Sequence, residues 1–149
     1  LHAPTGVEHC VSAYLTHPPG GSKPPDLVLV KEALLEIWAP RESKSGGGTT
    51  TGAVDQTKLE LVGSFPLHGS VASIAVLKRR GGAAQRDALL LAVPEAKLAV
   101  VEFDRSRCAL RTSSLHAYES VVSGVGLLHA PLRPLLAPHV VADPLGRCA

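Results

Sequence analysis

An aliphatic hairpin occurs twice in this chain, and that duplication limits the fold more than any other feature. The segment EALLEIW, Glu32 to Trp38, lies over EAKLAVV, Glu95 to Val101, at a shift of 63 positions without a gap. Upstream, Leu27, Val28 and Val30 fall on Leu90, Leu91 and Val93. In the second copy Ala88 to Val93 is apolar throughout, too short for a free-standing helix and suited to a strand covered on both faces. Pro94-Glu95-Ala96-Lys97 then offers a four-residue turn in which the fixed φ of proline is acceptable, so the copy reads as an antiparallel hairpin.

Each hairpin precedes a candidate outer strand. Thr57 to Phe65 (TKLELVGSF) alternates well, and Cys108 to His116 (CALRTSSLH) alternates poorly. Between the first hairpin and its outer strand lies RESKSGGGTTTGAVDQ, whose Gly, Ser and Thr content reads as a flexible inserted loop at 41–56. Setting its excess aside leaves a period of roughly 50 residues, within the range of propeller blades. LHG at Leu67 and LHA at Leu115 each follow an outer strand and precede an apolar run, a further sign of the repeat. Ser70 to Lys78 then becomes the innermost strand of the second unit. Pro138 to Ala149 (PHVVADPLGRCA) opens a third, with Asp143-Pro144 as a turn.

The expected fold is all-β: a partial β-propeller of about two antiparallel blades and the start of a third. On this reading the first blade is incomplete and the second is full, and residues 1–149 are the N-terminal blades of a first propeller. A βαβ alternative is weaker, because the connector Arg79 to Asp87 is short and no helical period separates the hairpins.

Composition narrows the class without naming a function. With 45% hydrophobic, 19% charged and 3% aromatic residues, the core must be built from Leu, Val, Ile and Ala. A formal net charge of +2 makes no electrostatic case for nucleic acid. The chain starts at Leu1 and holds no Met, so the expectation is a piece of something longer. No basic region precedes an apolar core near the N-terminus as in a secretory signal. Val121 to Ala142 has the length of a membrane span, but it contains His129, Arg133, His139 and prolines at 131, 134 and 138, so no transmembrane helix is expected. Cys10, Cys108 and Cys148 are odd in number and scattered, as reduced thiols of cytosol or nucleus are. Blades without neighbours leave aliphatic faces bare, so the isolated chain is expected to be unstable or to aggregate.

The search for chemistry returns little. No G-x-S-x-G elbow, complete phosphate loop or H-E-x-x-H motif occurs. Gly124 to His129 (GVGLLH) has His where a dinucleotide fingerprint needs its last Gly. SGGGTTTG carries no Lys and no helix behind it, and reads as linker. His9, Cys10 and His17 form the closest group of metal-type ligands, but not in paired zinc spacing, so turn or surface histidines are expected and no metal or cofactor is assigned. Glu102 and Asp104 share one side of a strand end, where a solvated end is the plainer reading than acid–base work. One binding signal remains: LKRRGGAAQR sets Lys78, Arg79, Arg80 and Arg86 on a Gly-containing loop that suits phosphate or an acidic partner. The plainer reading there is a solubilising surface loop.

Five blocks in order, HAPTGVEHC, KLELVGSF, QRDALLLAVPEAKLAVVEFD, SLHAYE and VVADPLGRCA, resemble the N-terminal region of the largest subunit of cleavage and polyadenylation specificity factor. That family is related in architecture to damaged-DNA-binding protein 1 and to the propeller subunit of splicing factor 3b. The resemblance implies a non-enzymatic, nuclear scaffold of three β-propellers with no catalytic residue to carry over. It further implies a complex that recognises the polyadenylation signal of pre-mRNA, docking a WD-repeat subunit and a zinc-finger subunit, with no membrane role. A paralogous scaffold in DNA repair, ubiquitin ligation or splicing is the alternative in the same architecture. A propeller-based hydrolase is a third reading, disfavoured because the inner strands offer few polar side chains. The insertion and SGVGLLHAPLRPLLAPHV, Ser123 to Val140, depart from the family pattern.

Overall fold

The structure, a computed structural model, describes residues 5–42, 57–79, 85–93, 97–117 and 138–145. Eight strands lie among them: β1 His9–Ala13, β2 Asp26–Lys31, β3 Leu34–Glu42, β4 Thr57–Pro66, β5 Ser73–Leu77, β6 Ala88–Val93, β7 Lys97–Asp104 and β8 Ala109–Ala117. They form two four-stranded antiparallel sheets in the orders β1-β2-β3-β4 and β5-β6-β7-β8. The inner strands β1 and β5 meet, and so do the outer strands β4 and β8. The sheets therefore stack blade on blade, as the duplicated hairpin requires.

The first blade is complete, which corrects the expectation of an incomplete one. Its inner strand is His9–Ala13, paired antiparallel with β2 from His9↔Val30 to Ala13↔Asp26. The short segment HCVSA carries one large aliphatic, Val11, which packs against the core beside Ala13. So few apolar positions give the period-2 pattern little to register.

The gapless repeat also hides a slip in pairing. In the first hairpin Val30 pairs with Leu35 and Lys31 with Leu34, across a two-residue tip in which Glu32 has φ 55°. In the second, Val93 pairs with Lys97, so the expected four-residue turn is shortened and Lys97 belongs to β7. The one-residue difference between the tips shifts the register. The outer strands repeat a further feature, a bulge where β3 meets β4 between Ile37 and Trp38, and where β7 meets β8 between Val100 and Val101.

The core lies between the sheets. Val28, Val30, Leu35 and Ile37 from the first meet Leu89, Leu91, Val101 and Phe103 from the second, with Val71 beside them. Burying each aliphatic side chain contributes about 1.5–3 kcal/mol. Strand β6 is covered on both faces: Leu89 and Leu91 join this core, while Ala88, Leu90 and Ala92 on the other side are 0%, 2% and 3% exposed. That is why its sequence lacks alternation. At the β4 bulge, a Cβ on Gly63 would stand 2.6 Å from Phe65 Cζ, so the absent side chain lets the Phe65 ring fold over the strand. The Phe65 ring then meets Phe103 of the other sheet edge-on at 6.1 Å between centroids.

Strand β3 runs through Glu42, so Arg41 and Glu42, pairing with Lys58 and Thr57, are strand rather than loop. The rest of the expected insertion, 43–56, lies outside the described residues, as do the turn 94–96 and the segment 121–137. Of the expected third unit, residues 138–145 are described without a strand, and Val140 N donates to Ser73 Oγ at 2.8 Å. Asp143-Pro144 is a turn as expected, with Leu145 N donating to Asp143 Oδ1 at 3.2 Å.

Candidate functional site

Antiparallel order puts the β1–β2, β3–β4, β5–β6 and β7–β8 connections at one end of the sheets and the β2–β3 and β6–β7 tips at the other. The chemistry-bearing residues gather on the first of these rims. Two acids organise it. Asp26 opens β2 and is 0% exposed; its Oδ2 accepts from Leu15 N at 3.1 Å and Thr16 N at 2.7 Å, and its Oδ1 accepts from the Thr16 hydroxyl at 2.9 Å. Asp87 stands just before β6. Its Oδ2 accepts from Tyr14 N at 2.9 Å, and its own N–H donates to Tyr14 O at 2.9 Å.

The turn after β1 is therefore held by one acid of its own blade and one of the next. Such bonds satisfy backbone donors that no ladder reaches. Arg86 completes the clasp, with Nη1 donating to Leu15 O at 3.3 Å. Sequence reasoning missed this arrangement, although the acids mark the start of each blade's second strand, Asp26 opening β2 and Asp87 standing just ahead of β6.

The basic segment is thereby divided. Arg86 is half-buried in the clasp, and Arg79 forms an ion pair with Glu102 of β7. Lys78 is exposed, and Arg80 lies outside the described residues. Glu102 and Asp104 do not act together. Asp104 turns into its own loop, where its Oδ1 accepts from Ser106 Oγ at 2.6 Å and Ser106 N at 2.9 Å. The Ser106 hydroxyl, and behind it the backbone N–H groups, hold its carboxyl below the usual range. The loop ends on Cys108 at φ 48°, which returns the chain into β8.

His9, Cys10 and His17 are separated. His9 Nε2 lies 3.1 Å from Val71 O, linking β1 to the second blade, and Cys10 is exposed. His17 Nδ1 is 3.0 Å from Thr16 Oγ1, and its ring meets Tyr14 edge-on at 5.5 Å. Among the described residues no three His, Cys, Asp or Glu side chains group as a metal site. Nor is any helix there long and apolar enough to cross a membrane.

A second polar group missed from sequence lies on the first sheet, on the face turned from the shared core. Lys31 Nζ is 2.9 Å from Glu36 Oε2 and 3.0 Å from Oε1, and Trp38 Nε1 donates to Glu36 Oε2 at 3.0 Å. The Lys31 ammonium, opposed by burial and helped by Trp38, holds the Glu36 carboxyl below its ordinary value.

Back at the connection rim, an open cleft of about 700 Å³ separates the blades, bounded by the turn after β1, the ends of β3 and β4, and the β7–β8 loop. With two stacked blades and this rim described, comparison with known proteins assigns the architecture. A family described as RSE1/DDB1/CPSF1 first beta-propeller matches residues 6–148. The chain belongs to this family. Relatives of the RSE1/DDB1/CPSF1 propeller chain include cleavage and polyadenylation specificity factor subunit 1 of Arabidopsis thaliana, 34% identical over 99% of this chain. The probable subunit 1 of Oryza sativa subsp. japonica is 32% identical over 99%, and protein cft1 of Aspergillus fumigatus is 34% identical over 100%. The chain spans 13% of each plant relative and 11% of the fungal one. The two blades thus match a first propeller of that family, in agreement with the resemblance read from the five sequence blocks.

Proposed function

We propose that the protein is a non-enzymatic scaffold subunit of the nuclear pre-mRNA 3′-end cleavage and polyadenylation complex, organising the subunits that recognise the polyadenylation signal. The observation that carries this reading is that two plant relatives named for that factor match nearly the whole chain, as does the fungal protein cft1. Its partners on this reading are WD-repeat and zinc-finger subunits of the complex, with pre-mRNA reached directly or through them. The architecture favours a scaffold, because blade strands spend their side chains on stacking and leave the connections to meet partners. Affinity purification of the full-length protein from nuclear extract tests the assignment. Recovery of polyadenylation subunits supports it, and recovery of a cullin ubiquitin ligase or of splicing subunits in their place overturns it.

The basic connection of Lys78, Arg79, Arg80 and Arg86 belongs to the same proposal as a contact for RNA or an acidic partner. Of its described members Lys78 is the freest for that role, since Arg79 and Arg86 already have protein partners. Arg79→Glu with Arg80→Glu is expected to weaken RNA crosslinking to this segment. Unchanged crosslinking leaves these residues as plain surface.

A further inference from the structure

We propose that the cleft between the two blades is a docking site for an acidic, partly apolar peptide segment of a partner protein. Its volume of about 700 Å³ falls in the range of sites that enclose a compact ligand. Among the described residues the lining contains Lys23, Arg41 and Arg105 and no Asp or Glu. Arg41 is ion-paired with Glu60. Lys23 and Arg105 are exposed and form no ion pair with any described residue. Two cations from different blades thus face one cleft with no counter-charge among the described residues, an arrangement that draws in an anionic group and fixes its register.

A second observation points the same way. His17 lines the cleft, and its Nε2 is buried without a hydrogen-bond partner among the described residues. The Thr16 hydroxyl donates to Asp26 Oδ1 and so can receive a proton from His17 Nδ1. With Nδ1 donating, Nε2 is an acceptor, and a backbone N–H of an incoming peptide segment would supply the donor it lacks. The remaining wall includes Pro24, Pro40 and Val62, which suits aliphatic side chains between acidic ones. RNA fits less well. The one Phe, Tyr or Trp of the lining, Phe103, is 6% exposed and engaged with Phe65, so no ring is presented for base stacking.

This inference goes beyond the scaffold reading and does not depend on which complex the protein serves. The test uses the full-length protein and fluorescence anisotropy with three labelled probes: a peptide alternating Glu and Leu, one alternating Lys and Leu, and an oligouridylate of matched length. The Glu–Leu peptide is expected to bind. Lys23→Glu with Arg105→Glu weakens it by about tenfold or more, and Lys23→Gln with Arg105→Gln weakens it less. The Lys–Leu peptide is expected to gain affinity in the charge-reversed variant. Both substituted residues are exposed, and an unchanged thermal transition checks that folding is intact. No binding of the Glu–Leu peptide overturns the proposal, as does affinity indifferent to both double variants. A loss confined to the oligouridylate overturns it in favour of nucleic acid.

Discussion

Replacing Asp26 by Ala is expected to loosen the first blade and its seam with the second. The side chain is 0% exposed and accepts three hydrogen bonds, two of them from the backbone N–H groups of Leu15 and Thr16. A hydrogen bond to a charged group contributes about 1.5–3 kcal/mol, and a buried donor left without an acceptor costs about 1–3 kcal/mol. The three bonds share one carboxylate and water partly replaces them, so they do not add in full; the expected loss is about 3–5 kcal/mol. Asp26→Asn keeps one acceptor and turns an amide NH₂ toward donors, for an intermediate loss of about 2 kcal/mol. Hydrogen exchange of the full-length protein, followed by mass spectrometry over His9 to Lys31, reads this locally. A loss of about 3 kcal/mol corresponds to exchange on the order of a hundredfold faster in the Ala variant. The exposed control Glu60→Ala, which breaks only a surface ion pair, is expected to change exchange little. If Asp26→Ala leaves protection of β1 and β2 as in the wild type, the clasp is not what holds this turn.

Asp87→Ala removes the acceptor for Tyr14 N and is expected to cost about 1–3 kcal/mol, with faster exchange at β1 and β6 and little change at β4; uniform loosening would contradict a seam role. Gly63→Ala drives a methyl to 2.6 Å from Phe65 Cζ, and the ring shift it forces is expected to cost about 1–3 kcal/mol. Adding Phe65→Leu should recover part of that loss in a thermal-denaturation double-mutant cycle, and strict additivity would refute the steric account. For Glu36 the folded value is lowered, so its stabilisation is present above the ordinary value of 4.5 and is lost as pH falls below it through the lowered folded value. Thermal midpoints of wild type and Glu36→Gln should therefore converge on acidification, and a gap constant from neutral pH down to about pH 3 would refute the linkage.

Several elements were legible because their signal is local. Ala88 to Val93 declares a doubly covered strand by being apolar throughout, and the structure buries five of its six residues. The duplicated hairpin and its outer strands announce stacked blades for the same reason, since strand periodicity and turn chemistry act within a few residues. The slip between the hairpins was illegible, because one residue of tip length decides it while the aliphatic letters match either way. Inner strand β1 was missed because HCVSA becomes a strand through pairing with β2 and cover from the neighbouring sheet.

The rim shows the same division more sharply. Lys78, Arg79, Arg80 and Arg86 read as one basic loop in the sequence, where nothing says that Arg79 meets Glu102 on another strand or that Arg86 reaches the carbonyl of Leu15. The acceptors and donors that bind Asp26 and Asp87 are mostly main-chain groups, which every residue carries and which leave no mark in the amino-acid letters. Amino-acid order alone thus determined that this chain makes aliphatic β-blades, since periodicity and composition are properties of neighbouring residues, while the family was carried by the five blocks that resemble it. Which charges are paired, which face a cleft, and how one blade is fastened to the next were decided only by tertiary structure, because those contacts join residues far apart in the chain.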